Sequence, residues 1–253
     1  MREKDEARGA AALLPIAGLI LALAAGVLLA MAGFGSRMNL WQFRTGFAIL
    51  KWGAWAGVAA GVVSLAGAVV AGRKRYLAGV LCGAGGMLIG ALVFALPLSW
   101  RIKVTQLPMI HDITTDIVNP PLFVAILPLR KDAPNPAVYG GPEVAVKQRQ
   151  AYPDIQPLLL NVPREQAFLQ ALAAARGMGW QIVAAVPQEG RIEATDTTFW
   201  FGFKDDVVVR VTGVDEHRAL IDVRSESRVG RSDIGKNAAR IRCYLARIRG
   251  GKG

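Results

Sequence analysis

The sequence predicts a membrane-anchored α+β protein, with three transmembrane helices followed by an antiparallel sheet packed with helices. Three observations predict it. Long apolar stretches fill the first hundred residues, at about 11–34, 46–71 and 77–99. The basic run Arg73-Lys74-Arg75, with no acidic residue beside it, separates the second stretch from the third. After residue 100 the pattern changes to short β-branched runs and one final amphipathic segment.

Each apolar stretch exceeds the ~20 residues that cross the hydrocarbon core as a helix. All three are apolar all round and rich in Gly and Ala, whereas a soluble core helix keeps a polar face. Lys and Arg concentrate on the cytoplasmic side of a membrane protein. The loop with Arg73, Lys74 and Arg75 is therefore expected inside, together with the tail that carries Arg2, Lys4 and Arg8. The loop 35–45 and everything after Trp100 are expected outside. In a bacterial inner membrane this gives a cytoplasmic N-terminus and a periplasmic C-terminal domain. Trp41, Trp52 and Trp100 fall near the outer ends of spans, where indole rings favour the headgroup layer. Lys51, inside the second span, is expected to snorkel outward along its aliphatic stem. The first stretch exceeds the ~7–15 residues of a signal-peptide core.

Glycines mark helix-packing ridges. Gly53, Gly57 and Gly61 recur at steps of four, as do Gly79 and Gly83, and Gly86 and Gly90. Small residues at this spacing let helices approach closely in lipid. They serve packing within one chain, or self-association, or a seat for a membrane-protein partner. The spans contain no acidic residue, so the composition does not predict a pump or an ion-coupled transporter.

The chain carries 30 Lys and Arg against 19 Asp and Glu, a formal net charge of +11. The excess is densest in the last segment, where Arg228 to Lys252 hold eight basic residues against Asp233 alone. A basic surface beside a bilayer attracts anionic lipid heads. The extracytoplasmic placement argues against nucleic acid, the other common partner of a basic protein. Cys82 lies in the third span and Cys243 in the last segment, so no disulfide is expected between them. No Cys/His cluster has zinc spacing, and the two histidines, His111 and His217, stand far apart. No metal and no cofactor are therefore expected.

Residues 101–253 form the second domain. Residues 101–115 read as an extended linker. Six prolines between 119 and 142 exclude regular helix and predict an extended strap laid on the domain. A short helix is expected over 143–151, stopped by Pro153. Pro163 opens a second helix that runs to Ala175 and buries Phe168, Leu169 and Leu172. Four strands are expected at 180–186, 191–200, 207–214 and 220–226, as an antiparallel meander. Val207, Val209 and Val211 point one way and Val208, Arg210 and Thr212 the other. Ile221, Val223 and Ser225 likewise oppose Asp222, Arg224 and Glu226. The sheet is thus expected to have one buried and one charged face. Ser232 is placed to cap a last helix in which Ile234, Ala238, Ile241, Leu245 and Ile248 form the apolar stripe.

The segments AYPDIQPL, GRIEAT, WFGFKDDVVVRV and DVRSESRVGRSDIGKNAARIR closely resemble the bacterial and plastid family catalogued as domain of unknown function 1499. The resemblance covers roughly residues 110–248 and leaves the three spans outside. It brings no catalytic residues, since the family has no assigned activity.

The best candidate for chemistry is the group Arg224, Arg228, Arg231 and Ser232. Three guanidiniums precede a helix start, and both features favour carboxylate or phosphate groups. The bland reading pairs Arg224 with Asp222 or Glu226 and leaves Ser232 as a cap. Asp196, Asp205 and Asp206 could supply carboxylates, but Lys204-Asp205-Asp206 reads as a polar turn. His111, Asp112 and Asp116 lack a second histidine for a metal. Ser225 and Ser227 lack the nucleophile elbow of a hydrolase. Trp200, Phe201 and Phe203 read as core. No catalytic residue is singled out. Two functions from different classes stay open. One is a non-catalytic envelope module that binds a protein partner or an anionic lipid or ligand, as an accessory subunit of a membrane complex. The other is an envelope hydrolase acting on lipid or polymer.

Overall fold

The computed structural model describes the backbone of residues 2–250 and the side chains of residues 12–250. The side chains of Arg2, Lys4 and Arg8, expected on the cytoplasmic side, lie outside the described residues. The chain divides into two units, Met1–Ile102 with Phe199–Gly202, and Lys103–Thr198 with Phe203–Gly253.

The first unit is built on three long helices, α1 (Arg2–Arg37), α2 (Phe43–Arg73) and α3 (Leu77–Gln106). Each is long and apolar enough to cross a membrane. Leu13, Leu23, Trp52, Val62, Leu81 and Leu88 are exposed, the arrangement of helices whose solvent is lipid. Small residues set the contacts between the helices. A Cβ on Gly90 would stand 2.5 Å from the Gly57 carbonyl oxygen, and one on Gly83 would stand 2.7 Å from that of Ser64. Lys51 keeps its ammonium 5.9 Å from the Trp52 ring. The segment Phe199–Gly202 belongs with these helices. Trp200 donates its indole N–H to the Ala30 carbonyl (2.9 Å) and meets Trp100 at 5.1 Å, while Phe201 meets Phe47 at 5.0 Å. Trp200 and Phe201 are therefore not core of the second domain. Helix α3 also runs to Gln106, through residues expected to be an extended linker.

The second unit is a two-layer α+β domain around a six-stranded antiparallel sheet. The strands are β1 (Asp112–Thr114), β2 (Leu158–Leu160), β3 (Gln181–Val186), β4 (Arg191–Thr197), β5 (Lys204–Gly213) and β6 (Ala219–Ser227). The order is β1-β6-β5-β4-β3, with β2 also on the free edge of β6. The meander β3 to β6 matches the alternation of the sequence. β1 and β2, three residues each, were not anticipated. Lys204, Asp205 and Asp206 open β5 and do not form a turn.

Val207, Val209, Val211, Ile221 and Val223 face one side and are buried. Burying each such side chain contributes roughly 1.5–3 kcal/mol. They pack under α5 (Arg164–Gly177) and α6 (Lys236–Gly250). α5 contributes Ala167, Phe168, Ala171, Ala174 and Ala175, and Leu169 is exposed. Tyr244 of α6 stacks on Trp180 at 4.8 Å and donates its hydroxyl to the Ala171 carbonyl at 2.8 Å. Pro163 takes the N-cap position of α5, one residue outside the helix. α6 starts at Lys236 and is capped by Asp233, whose carboxylate accepts the N–H groups of Gly235 (2.9 Å) and Asn237 (2.6 Å). Ile234 and Gly235 have positive φ (54° and 74°), so the chain turns once more after Ser232 before the helix begins.

The other face of the sheet departs from expectation. The strap 119–142 lies across it, with one 3-10 turn at Leu127–Arg130, and leads into α4 (Gly141–Ala151). Phe123 and Ile126 reach down to Val208 and Val183. The charged face is thereby buried.

Candidate functional site

The sheet register places like charges side by side. Thr195 of β4 stands opposite Asp206 of β5, Asp206 opposite Glu226 of β6, and Glu226 opposite Asp112 of β1. Three carboxylates thus form one row across neighbouring strands, which lie about 4.8 Å apart. Unpaired, such a row is destabilising. Three arginines neutralise it. Arg130, from the 3-10 turn of the strap, bridges Asp206 (2.7 Å) and Glu226 (2.8 Å). Arg224 grips both oxygens of Asp112 (2.9 and 2.8 Å) and touches Glu226 at 3.3 Å. Arg228 holds both oxygens of Asp206 (2.8 and 2.9 Å).

The next row binds the strap backbone. Glu193 accepts the N–H groups of Val124, Ala125 and Ile126 at 2.9–3.0 Å, and Arg191 pairs with it from the same strand. Arginines take the strap carbonyls. Arg224 donates to Pro121 and Ala137, Arg228 to Leu129, Arg130 to Asn135 and Arg210 to Asn119. The Arg224 guanidinium also faces the rings of Phe123 (4.8 Å) and Tyr139 (5.6 Å), which suits a planar cation. Burial pushes Glu226 up to about 8, reinforced by Asp112 and Asp206 and opposed by Arg130 and Arg224. Burial also raises Asp112, against the pull of Arg224.

The four residues of the anticipated anion site part company here. Arg224 is fully buried, and each of its three nitrogens donates within the domain. Arg228 joins the same network through Asp206. Arg231 is exposed and outside it. Ser232 is half-buried, accepts the Ile234 N–H (3.3 Å) and donates to the Pro108 carbonyl (3.4 Å). Asp205 and Asp206, adjacent in sequence, face opposite sides. Asp205 pairs with Arg240 (2.6 Å), which also holds Asp196 (2.8 Å). Arg240 is thus buried beneath α6, far from the diffuse surface charge its sequence position suggests. Asp116 pairs with Arg210 (2.9 Å) and with the N–H groups at the start of the strap. Among the described residues, no group of His, Cys, Asp and Glu is placed to hold a metal ion. An open groove of about 260 Å³ runs along the strap, lined by Pro120, Pro121, Leu122, Val124, Arg191 and Arg210.

In the helical unit, Gly57 and Gly90 face each other, and Gly86 backs on Ser64 and Leu19. Gly53 makes ordinary contact with Leu29, while a Cβ on Gly61 would meet nothing within 4 Å. Sequence reasoning missed Arg130, Glu193 and Asp112 as organising residues. The one available signal was a lone arginine in a proline-rich segment facing an unusual density of carboxylates on alternating strand positions.

Neither the curated proteins nor the solved structures contain a significant match to the chain. One family model does match. It covers residues 112–248, from the first carboxylate of the row to the last turn of α6. The match spans more than half of the sequence and leaves out the three apolar helices, and by it the chain belongs to the family described as protein of unknown function (DUF1499).

Proposed function

We propose that this protein is a non-catalytic, membrane-anchored module of the bacterial envelope. Its N-terminus is cytoplasmic, its second domain is periplasmic, and that domain binds a protein partner or an anionic lipid as an accessory subunit of a membrane complex. The observation that carries this reading is the closed ionic face. Catalysis by side chains needs titratable groups that reach a substrate. Here the densest set of them, Asp112, Glu193, Asp206, Glu226 and their arginines, is spent on holding the strap. What the domain offers outward is the strap itself. Val138 (78%) and Leu122 (71%) are largely exposed aliphatic side chains on it, and Val118 (90%) just precedes it. Exposed apolar surface of this kind serves recognition.

A photo-crosslinking amino acid at Leu122 or Val138, in the full chain in native membranes, tests this. The expected result is a discrete adduct of one identified protein or lipid that is missing when the probe sits at Lys147 on α4. Adducts no different from the Lys147 control overturn the reading.

A further inference from the structure

One end of the strap combines exposed leucines with unpaired cations. In the 3-10 turn Leu127–Arg130, Arg130 and the preceding Ile126 point inward, which forces Leu127 (46% exposed), Pro128 and Leu129 (54%) outward. Lys131 follows at once and is exposed. Bonds from Arg228 and Asn135 bring two further cations to this turn. The Arg228 guanidinium donates to the Leu129 carbonyl (2.8 Å), and the Arg228 backbone N–H donates to the carbonyl of Lys204 (3.0 Å). The Asn135 side chain donates to the carbonyl of Gly230 (2.9 Å), next to Arg231. Lys131, Lys204 and Arg231 are thus gathered round one turn. Each is exposed, and none has a carboxylate partner among the described residues. Asp132 is the exposed carboxylate beside them, and it too makes no ion pair among the described residues.

We propose that this turn and its three cations form a docking surface for the anionic headgroups of a phospholipid bilayer, with Leu127 and Leu129 entering the headgroup layer. Aliphatic side chains flanked by Lys and Arg are the chemistry of interfacial binding. A protein partner would need carboxylates set to match three cations from three separate segments, whereas a fluid layer of anionic headgroups adjusts to them. The chain brings its own bilayer, since it carries three helices able to span one. The backbone under the turn is held by Arg130 and Arg228, so the leucines are presented without an ordering cost on binding. The inference rests on the membrane-anchored reading above, and it assigns the lipid role to residues other than the buried Arg224.

The test uses the full chain with Cys82→Ala and Cys243→Ser, and a spin label on Leu129→Cys or, as reference, on Val146→Cys of α4. It is reconstituted into nanodiscs of phosphatidylcholine alone or mixed with phosphatidylglycerol. The water-soluble nickel chelate should reach the Leu129 label several-fold less in mixed discs, with no change at Val146. Lys131→Gln with Lys204→Gln and Arg231→Gln should abolish the difference. Arg149→Gln with Arg176→Gln and Arg249→Gln, equal in charge and exposed elsewhere, should preserve it. Equal accessibility in both lipids, equal losses from both triple variants, or the same protection by inorganic phosphate in phosphatidylcholine discs overturns the proposal. Crosslinks from Leu122 and Val138 that persist beside an indifferent Leu129 label sink this inference alone. A lipid response without those crosslinks sinks the partner reading instead.

Discussion

Two bidentate arginine pairs in the second domain have nearly the same geometry and should differ widely in worth. Arg224 holds Asp112 at 2.9 and 2.8 Å with both side chains at most 5% exposed. Arg242 holds Asp154 at 2.6 and 2.7 Å with side chains 44% and 53% exposed. If hydrogen-bond geometry set the contribution, Arg242→Met would cost at least as much as Arg224→Met. If burial sets it, the order reverses. Removing one partner of a buried pair strands the other charge and costs about 3–5 kcal/mol. An exposed pair contributes about 0–1 kcal/mol, since water replaces the lost partner. For a domain of this size each kcal/mol lowers Tm by about 2–4 °C, so Arg224→Met should lower it by roughly 6–20 °C.

Hydrogen exchange of the β5 and β6 amides, read by mass spectrometry on the full chain in detergent, isolates the second domain from the helices. Arg224→Met should speed the slowest exchange by about 3–5 kcal/mol of opening free energy, and Arg242→Met by less than about 1 kcal/mol. Adding Asp112→Leu to Arg224→Met should recover part of the loss, because the carboxylate is no longer stranded. Recovery should stop short of wild type, since the Pro121 and Ala137 carbonyls still lack their donor. Equal losses from the two single variants, or a double variant worse than Arg224→Met alone, would refute the burial argument.

Glu226 is held above the ordinary carboxylate value, at about 8, so the fold binds its proton more tightly than the unfolded chain does. Its contribution is full below the unfolded value and is lost as pH rises to about 8. Wild type should therefore lose stability against Glu226→Gln between about pH 5 and 8, and parallel Tm curves would contradict this. In the helical unit, a Cβ on Gly90 would stand 2.5 Å from the Gly57 carbonyl, so Gly90→Ala should cost about 1–3 kcal/mol in detergent melts. Gly61→Ala, which meets nothing within 4 Å, should be near neutral in the same melts. Cys243 is exposed on α6, and a membrane-impermeant maleimide should label it from the periplasmic side of intact inner membrane. Labelling that needs a permeabilised inner membrane would reverse the topology.

The meander and the two helices over its core were legible because alternation and helical spacing are local signals. Val207, Val209 and Val211 alternate with Val208 and Arg210, and Ala238, Ile241, Leu245 and Ile248 recur at helical spacing, whatever lies elsewhere in the chain. The strap was legible as irregular through its prolines, but its target was not. The Arg130–Asp206 contact joins residues 76 apart, and the bond from Ile126 to Glu193 spans 67. Nothing local to either end announces them. Charged residues are scarce in strands, so Lys204-Asp205-Asp206 reads as a turn until Arg240 and Arg130 are seen waiting on either side. Ser232 failed as a cap because Asp233 competes with it, and the left-handed pair Ile234 and Gly235 delays the helix. Trp200 and Phe201 are apolar and aromatic, which fits a protein core and a helical membrane unit equally well.

The charged inner face follows from the irregularity of the strap. A helix satisfies most of its own backbone groups and a strand pairs them with its neighbours, but a proline-rich coil does neither, and buried N–H and C=O groups need partners. An apolar sheet face would leave the strap's groups bare. Glu193 instead takes three successive N–H groups, and four arginines take five carbonyls. Those arginines then require carboxylates: the row Asp206, Glu226 and Asp112 supplies them to Arg130, Arg224 and Arg228, and Asp222 and Asp116 supply them to Arg210. This chain of needs sets a limit on the usual rule that a buried ion pair can be exchanged for apolar residues at little cost. That exchange works where the ions serve only each other. Here Glu193 and the four arginines also hold backbone, so replacing Glu193 with Leu strands three amides at about 1–3 kcal/mol each, enough to free the strap while the core beneath α5 and α6 stays closed.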